Sequence, residues 1–438
     1  MKLFRHGIAV LLSFVMALQV AHASPPASPS EKEDGPLVYV MRQGDTLLDI
    51  SHRFLISPSA IPSVRKLNGI GNDRAIPVGT RLKLPRPLLR YTAEELSVVA
   101  VSVPDRIAGR DANLGAAVAE GAVISTGPNG FVSVGGKFGG RFAIPSNSTA
   151  RVKSARRYVL GNTLDLDIAI EKGRATTQSP RLQRDDRLRL RTPVAVTAVR
   201  GTVFRVAYDD AGERNLTEVV EGTVGVQAGA SSGIATQGFG IASSRGGVSP
   251  PEALLPPPVL REPGKLQSGA SVEFVVDPRP GEAGHRVQIA RDAGFLDIVL
   301  EQVSQTPQVT FPELGDGRYF VRAQAISKSG LEGLSETVTF RRKRLGAKAE
   351  AGQSEGGEGY LFQWLSEGSG QTFYAFQMWR EGSAGAPLID ETALTATRLE
   401  LTGLAPATYF WRVAVLQAEP EDGLLKVWGP TQKLTISP

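Results

Sequence analysis

The chain has 438 residues, of which 41% are apolar and 21% charged, a composition that suits folded globular matter and excludes a wholly disordered chain. At roughly 100–200 residues per domain, that length predicts about three or four domains. The absence of cysteine excludes a disulfide framework, a thiolate metal site and a lipidated cysteine, and a net charge of +5 is too slight to indicate nucleic acid. With 48 Gly and 29 Pro, many short strands and turns are expected.

Residues 1–23 read as a secretory signal peptide: basic Lys2 and Arg5, an apolar run from Gly7 to Val20, and Ala21-His22-Ala23 before Ser24. The run is shorter than the roughly 20 residues that cross a bilayer, so export rather than anchoring is expected, with no transmembrane segment in the mature chain. Loss of Lys2 and Arg5 leaves 47 basic side chains against 44 acidic, a net charge of +3. Residues 24–36 (SPPASPSEKEDGP) have little to bury and are expected to form a disordered leader.

Over 37–86 the pattern is β-α-α-β. Val38–Met41 alternate as a short strand and Gly44 opens a turn. Asp45 or Thr46 can cap a helix whose Leu47, Ile50 and Phe54 share one face. Ser57-Pro58 starts a second helix ending near Asn68-Gly69, with Pro62 in its first turn, and Arg81–Leu84 form the closing strand. The phrases QGDTLLDIS, KLNGI and VGTRLKLP resemble the lysin motif (LysM), with Leu48 standing where that family usually has an aromatic residue and a longer connection over Gly69–Ala75. The resemblance implies a shallow groove for N-acetylglucosamine-containing glycan, here peptidoglycan. Gly44, Asp45, Thr46 and Leu47 would lie on one side of it and Ala75, Ile76 and Pro77 on the other. Exposed backbone groups there can bond an N-acetyl amide while small apolar groups take its methyl. The competing reading has Leu47 and Ile76 filling a small core and Asp45 and Thr46 only capping the helix.

From 93 to 228 short alternating runs are broken by Gly, Asn and Asp, without a helical period: Ala122–Thr126, Phe131–Val134, Leu164–Ile170, Val194–Val199, Val203–Ala207 and Thr217–Val220. Gly201, beside Arg200 and Thr202, is placed for a bulge or a close backbone approach. In Arg181–Arg191, Arg187, Arg189 and Arg191 alternate with leucines, as expected of a strand with one wet basic face. EGAVISTGPNGFVSV, LDIAIEKGRA and above all RTPVAVTAVRGTVFRV resemble the FecR domain. That resemblance implies a strand-rich periplasmic fold that relays a signal in its best-known members, whose membrane helix and anti-sigma segment are not found in this sequence.

Residues 229–258, rich in Gly, Ser and Pro, are expected to form a linker, and 343–358 a second one. They flank two related segments, 259–342 and 359–438: Leu314, Tyr319, Phe320 and Arg322 recur as Leu404, Tyr409, Phe410 and Arg412. Alternating runs in each (Val272–Val276, Arg286–Ala290, Tyr319–Ala325; Tyr360–Trp364, Thr372–Trp379, Tyr409–Val415) predict two β-sandwiches that resemble fibronectin type III domains. All four tryptophans fall in the second, more than one small core requires, which leaves room for an aromatic docking patch or sugar platform.

His52 and His285 are the histidines remaining after the signal, each expected to be an ordinary surface side chain, and neither has metal-ligand spacing. No nucleophile elbow, phosphate loop or acid–base carboxylate pair is recognisable; Asp185-Asp186 are adjacent on a strand and point to opposite faces. The expectation is a mainly β multidomain protein of the cell envelope without cofactor, metal or catalytic residues: a LysM domain, a strand-rich FecR-like domain and two C-terminal β-sandwiches. Its expected role is that of a peptidoglycan-binding scaffold that recruits or senses an envelope protein. The alternatives are a soluble periplasmic sensor acting on a membrane complex, and a cell-wall hydrolase.

Overall fold

The computed structural model describes residues 35–102, 105–199, 201–295, 297–383, 385–419 and 423–437. The expected signal peptide, nearly all of the expected leader, and Arg200 lie outside these residues. The described residues are mainly β, and among them no helix is long and apolar enough to cross a membrane.

The first module closes on an antiparallel pair, β1 (Leu37–Val40) and β2 (Arg81–Leu84), with Leu37 opposite Leu84 and Tyr39 opposite Leu82. Between them lie α1 (Leu47–Phe54) and α2 (Ile61–Asn68), Pro62 falling in the first turn of α2 and Gly69 ending it at φ +63°. Thr46 caps α1: its hydroxyl accepts from the Asp49 amide at 3.1 Å and donates to the Asp49 carboxylate at 2.6 Å. Helices this short do not persist alone, so the apolar cluster of Leu37, Leu47, Ile50, Val64 and Leu82 is what holds them.

Between Tyr91 and Ala253 an 18-stranded path forms one continuous β domain. Its spine is the long strand Thr163–Gln178, which pairs first with Thr149–Tyr158 and, in parallel, with Arg187–Arg191, then beyond Gly173 with Val203–Asp209 and Arg141–Ile144. Leu164, Leu166, Ile168 and Ile170 face the core. The opposite face of the spine is not the wet basic surface expected. Arg187 and Arg189 are 7% and 8% exposed. The parallel register sets Arg187 beside Asp165 and Arg189 beside Asp167, with Arg189 Nη2 2.8 Å and Arg191 Nε 2.7 Å from the Asp167 carboxylate. Charge compensation from the neighbouring parallel strand buries them.

Residues 229–258 are not the expected linker. They form strands Ser231–Thr236, Phe239–Ser244, Gly247–Val248 and Glu252–Ala253, which pair with Thr223–Ala228, with Arg214–Glu221 and with one another. Small residues are needed here because neighbours press close: a Cβ on Gly240 would lie 2.9 Å from Leu331 of the next domain. The second expected linker is likewise strand, Gly346–Gln353 pairing with Gly359–Glu367.

Two β-sandwiches follow. The first sets the sheet Val259–Arg261, Val272–Asp277 and Gln308–Phe311 on the sheet Ile298–Ser304, Glu282–Ala290, Gly317–Ser327 and Glu332–Arg342. In the second, Gly346–Gln353, Gly359–Glu367 and Arg398–Thr402 face Ile389–Leu394, Phe373–Arg380, Ala407–Glu419, Gly423–Trp428 and Gln432–Ile436. Tyr319 and Tyr409 occupy the same corner in each, donating to the carbonyls of Gly315 at 3.1 Å and Ala405 at 3.0 Å. Trp364 and Trp411 fill the second core, whereas Trp379 and Trp428 stay half-buried outside it. His285 is buried rather than at the surface, its Nδ1 2.9 Å from Glu282.

Each unit is fastened to the next. Tyr158 of the β domain packs into the core of the first module, while the Arg90 amide donates to the Phe54 carbonyl at 2.7 Å. At the next joint Arg174 and Arg205 meet the outer face of the larger sheet of the first sandwich: Arg174 pairs with Glu332, and Arg205 donates to the carbonyls of Glu332 at 2.6 Å and Gly333 at 2.8 Å. The two sandwiches are joined by Lys343, which reaches Glu419 at 3.0 Å and Asp316 at 3.3 Å.

Candidate functional site

The end of the first module where β1 leaves and β2 begins brings two loops together. The Met41 amide donates to the Thr80 carbonyl at 2.9 Å, and the Gly79 amide to the Met41 carbonyl at 2.8 Å, so Gly44–Leu47 and Ala75–Pro77 stem from one end of the same two-stranded ladder.

Gly44 is exposed with φ +86°, which a side chain would strain, and its α-carbon face is open. Asp45 is committed to holding the turn: its carboxylate accepts from the Tyr39 hydroxyl at 2.7 Å, the Arg42 amide at 2.8 Å and Arg53 at 3.1 Å. The Tyr39 hydroxyl and the Arg42 amide keep its carboxyl below the ordinary value. Thr46 is spent on the helix cap and Leu47 is 3% exposed in the core. On the second loop Ala75 and Pro77 are exposed and Ile76 packs partly on the core, while the Pro77 carbonyl accepts from the Thr80 hydroxyl at 2.7 Å. Of the seven predicted residues, Gly44, Thr46, Ala75 and Pro77 are exposed, Asp45 and Ile76 are partly buried, and Leu47 lies in the core.

Two apolar side chains missing from the prediction stand beside these loops: Leu48, 53% exposed, and Val78, 67% exposed. Helical phase was the signal for Leu48, since Leu47, Ile50 and Phe54 point inward and leave it facing out. Arg53 was also missed. Its guanidinium lies 4.7 Å from the Phe54 ring centre and 5.5 Å from that of Tyr39, stiffening the turn through Asp45. The two loops present backbone and small apolar groups. Among the described residues no group of three or more His, Cys, Asp or Glu is placed to hold a metal ion.

The LysM domain model matches residues 39–85, and the FecR protein model matches residues 122–225. The chain therefore carries a LysM domain followed by a FecR domain, families of binding and signalling modules found in envelope proteins. No curated protein matches the chain in sequence. Among solved structures, a candidate anti-sigma factor from Parabacteroides distasonis is 17% identical with a TM-score of 0.26, and the match covers 30% of this chain and 59% of that one. The chain thus spans less than two thirds of that structure's length. Fibronectin(III)-like modules of Clostridium thermocellum CbhA are 10% identical, with a TM-score of 0.21 and coverage of 41% and 94%. Chicken CNTN1 FN1–FN3 domains are 11% identical, with a TM-score of 0.23 and coverage of 61% and 99%.

Proposed function

We propose that the protein is an exported, non-catalytic scaffold of the cell envelope whose LysM domain holds peptidoglycan and whose β domains present surfaces to an envelope protein. The observation that carries this reading is the pair of loops at one end of the β1–β2 ladder, within the span matched by the LysM model. In this reading the backbone of Gly44 and of Ala75–Pro77 bonds the N-acetyl amide of the glycan. Leu48 and Val78 flank its methyl and ring, and Asp45, Thr46 and Leu47 fix the loop that does so. A shallow site of this kind binds weakly alone and gains residence when other weak contacts act in the same chain.

The test is pelleting of the mature chain with purified sacculi. Wild-type protein is expected to sediment with them, and a Leu48→Asp/Val78→Asp variant with unchanged circular dichroism to remain in the supernatant; equal pelleting of both would remove the groove as the anchor. A second reading, a sensor that passes its state to a membrane complex, is favoured by the insertion of Tyr158 into the LysM core, which couples the first module to the FecR domain. Co-purification with inner-membrane proteins, without retention on sacculi, would select it.

A further inference from the structure

The two sandwiches carry the same three-residue relay on the outer face of the larger sheet. In the first, Arg322 Nε donates to Gln288 Oε1 at 2.7 Å and the Gln288 amide donates to Glu301. In the second, Arg412 donates to Gln377 Oε1 at 2.8 and 3.1 Å, and the Gln377 amide donates to Asp390 at 3.2 Å. The strand registers are equivalent: Gln288 sits opposite Arg322 and Glu301, and Gln377 opposite Arg412 and Asp390.

The relays differ in what covers them. The first is roofed by a folded domain: Ser146 of the FecR domain donates to Glu301 at 2.9 Å, and Gln288 is 3% exposed. On the second, the apolar cluster of Ala375, Ala414 and Leu416 with Phe373 and Trp428 draws, among the described residues, on this sandwich alone, and Asp390 is exposed. Tryptophan and arginine at the centre of such a face are the side chains that anchor protein interfaces. A sugar platform is disfavoured, because cations already occupy the indoles: Arg412 lies 4.2 Å from the Trp428 ring centre and 5.1 Å from that of Trp379, and Lys426 4.5 Å from Trp428.

Charge is laid out in order across the face. The acid, Asp390, lies on the edge strand Ile389–Leu394; the cations Lys426 and Lys433 lie on Gly423–Trp428 and Gln432–Ile436 at the other side, paired to Leu416 and Phe410. A two-fold axis running along the strands would set the acidic side of one copy over the basic side of another, twice, and close the aromatic centre between them. We infer that this face is a self-complementary docking surface for a second copy of the same chain, stacked face to face as the FecR domain stacks on the first sandwich. The inference is independent of glycan binding.

Reciprocal charge reversal tests it in the full mature chain by sedimentation velocity between roughly 1 and 200 μM. Wild type is expected to pass from monomer to dimer over that range. Asp390→Arg alone and Lys426→Glu/Lys433→Glu alone each place like charges in register and are expected to weaken association at least about tenfold. Mixed one to one, the two variants are expected to regain a dimer, since every reversed charge then meets its opposite. A monomeric wild type at all concentrations overturns the inference, and so does a mixture that stays monomeric while both variants keep wild-type circular dichroism.

Discussion

Glu332 of the first sandwich and Arg174 of the FecR domain are ion-paired across the joint between them, and Arg286 closes on the same carboxylate from within the sandwich at 2.8 Å. Glu332 is 7% exposed, and its amide donates to Glu218 of the FecR domain at 3.1 Å, so the joint is a network rather than a surface pair. A buried network of this kind contributes less to net stability than to the choice of one docked geometry.

Removing Glu332 strips Arg174 of its ion-pair partner and leaves Arg286 with Glu301 alone, which costs up to about 3–5 kcal/mol. Glu332→Ala is therefore expected to lower the stability of the joint by that order, read by calorimetry as a sandwich transition that separates from that of the FecR domain. A single unshifted transition would refute the coupling.

The same residue predicts a pH dependence. Burial alone would raise its carboxyl, but Arg174, Arg286 and Arg205 overcome burial and hold it below the ordinary glutamate value. Its stabilisation is then full above about pH 4.3 and fades as pH falls through the lower folded value. Glu218, raised mainly by burial, acts in the opposite sense. Comparing wild type with Glu332→Gln isolates the first effect: their difference in unfolding free energy is expected to shrink from pH 5 to pH 3, on the order of two units. A difference independent of pH would exclude the ion pair as its source.

Gly201 adopts φ +73°, and a Cβ there would lie 2.9 Å from the Arg181 α-carbon. Both the dihedral and the backbone contact oppose a side chain, so Gly201→Ala is expected to destabilise by about 1–3 kcal/mol in urea unfolding. A neutral result would mean the loop relaxes away from Arg181.

Tyr158 is 3% exposed, and its hydroxyl donates to Asp165 at 3.0 Å while its ring sits in the LysM core. Tyr158→Ala is expected to cost about 3–5 kcal/mol and to raise amide exchange across 37–84. Exchange confined to the FecR strands would show that the LysM core stands without it.

How much of this was legible in the sequence depended on the range of the interaction. The LysM helices declared themselves through local signals, the cap at Thr46, Pro62 in a first turn and Gly69 at an end, and the structure forms them there. The repeated Tyr319 and Tyr409 likewise marked equivalent corners. Residues 229–258 were misread because Gly, Ser and Pro composition reports missing side chains, and those side chains are missing where Leu331 of another domain presses on Gly240. Arg187 and Arg189 looked solvated because Asp165 and Asp167, which neutralise them, lie on a different strand. In the first module, the two loops could be placed from the resemblance, but the engagement of Asp45 by Tyr39 and Arg53 is a tertiary contact that no spacing encodes.

The polypeptide leaving the FecR domain has no slack. The Leu254 amide is held by the Gly238 carbonyl at 2.8 Å, and the very next residue, Leu255, is held by the Leu334 amide of the first sandwich at 2.8 Å. With no free chain to act as a swivel, a tilt imposed at one end is passed along as torque. The FecR domain and the first sandwich would then turn together as one piece.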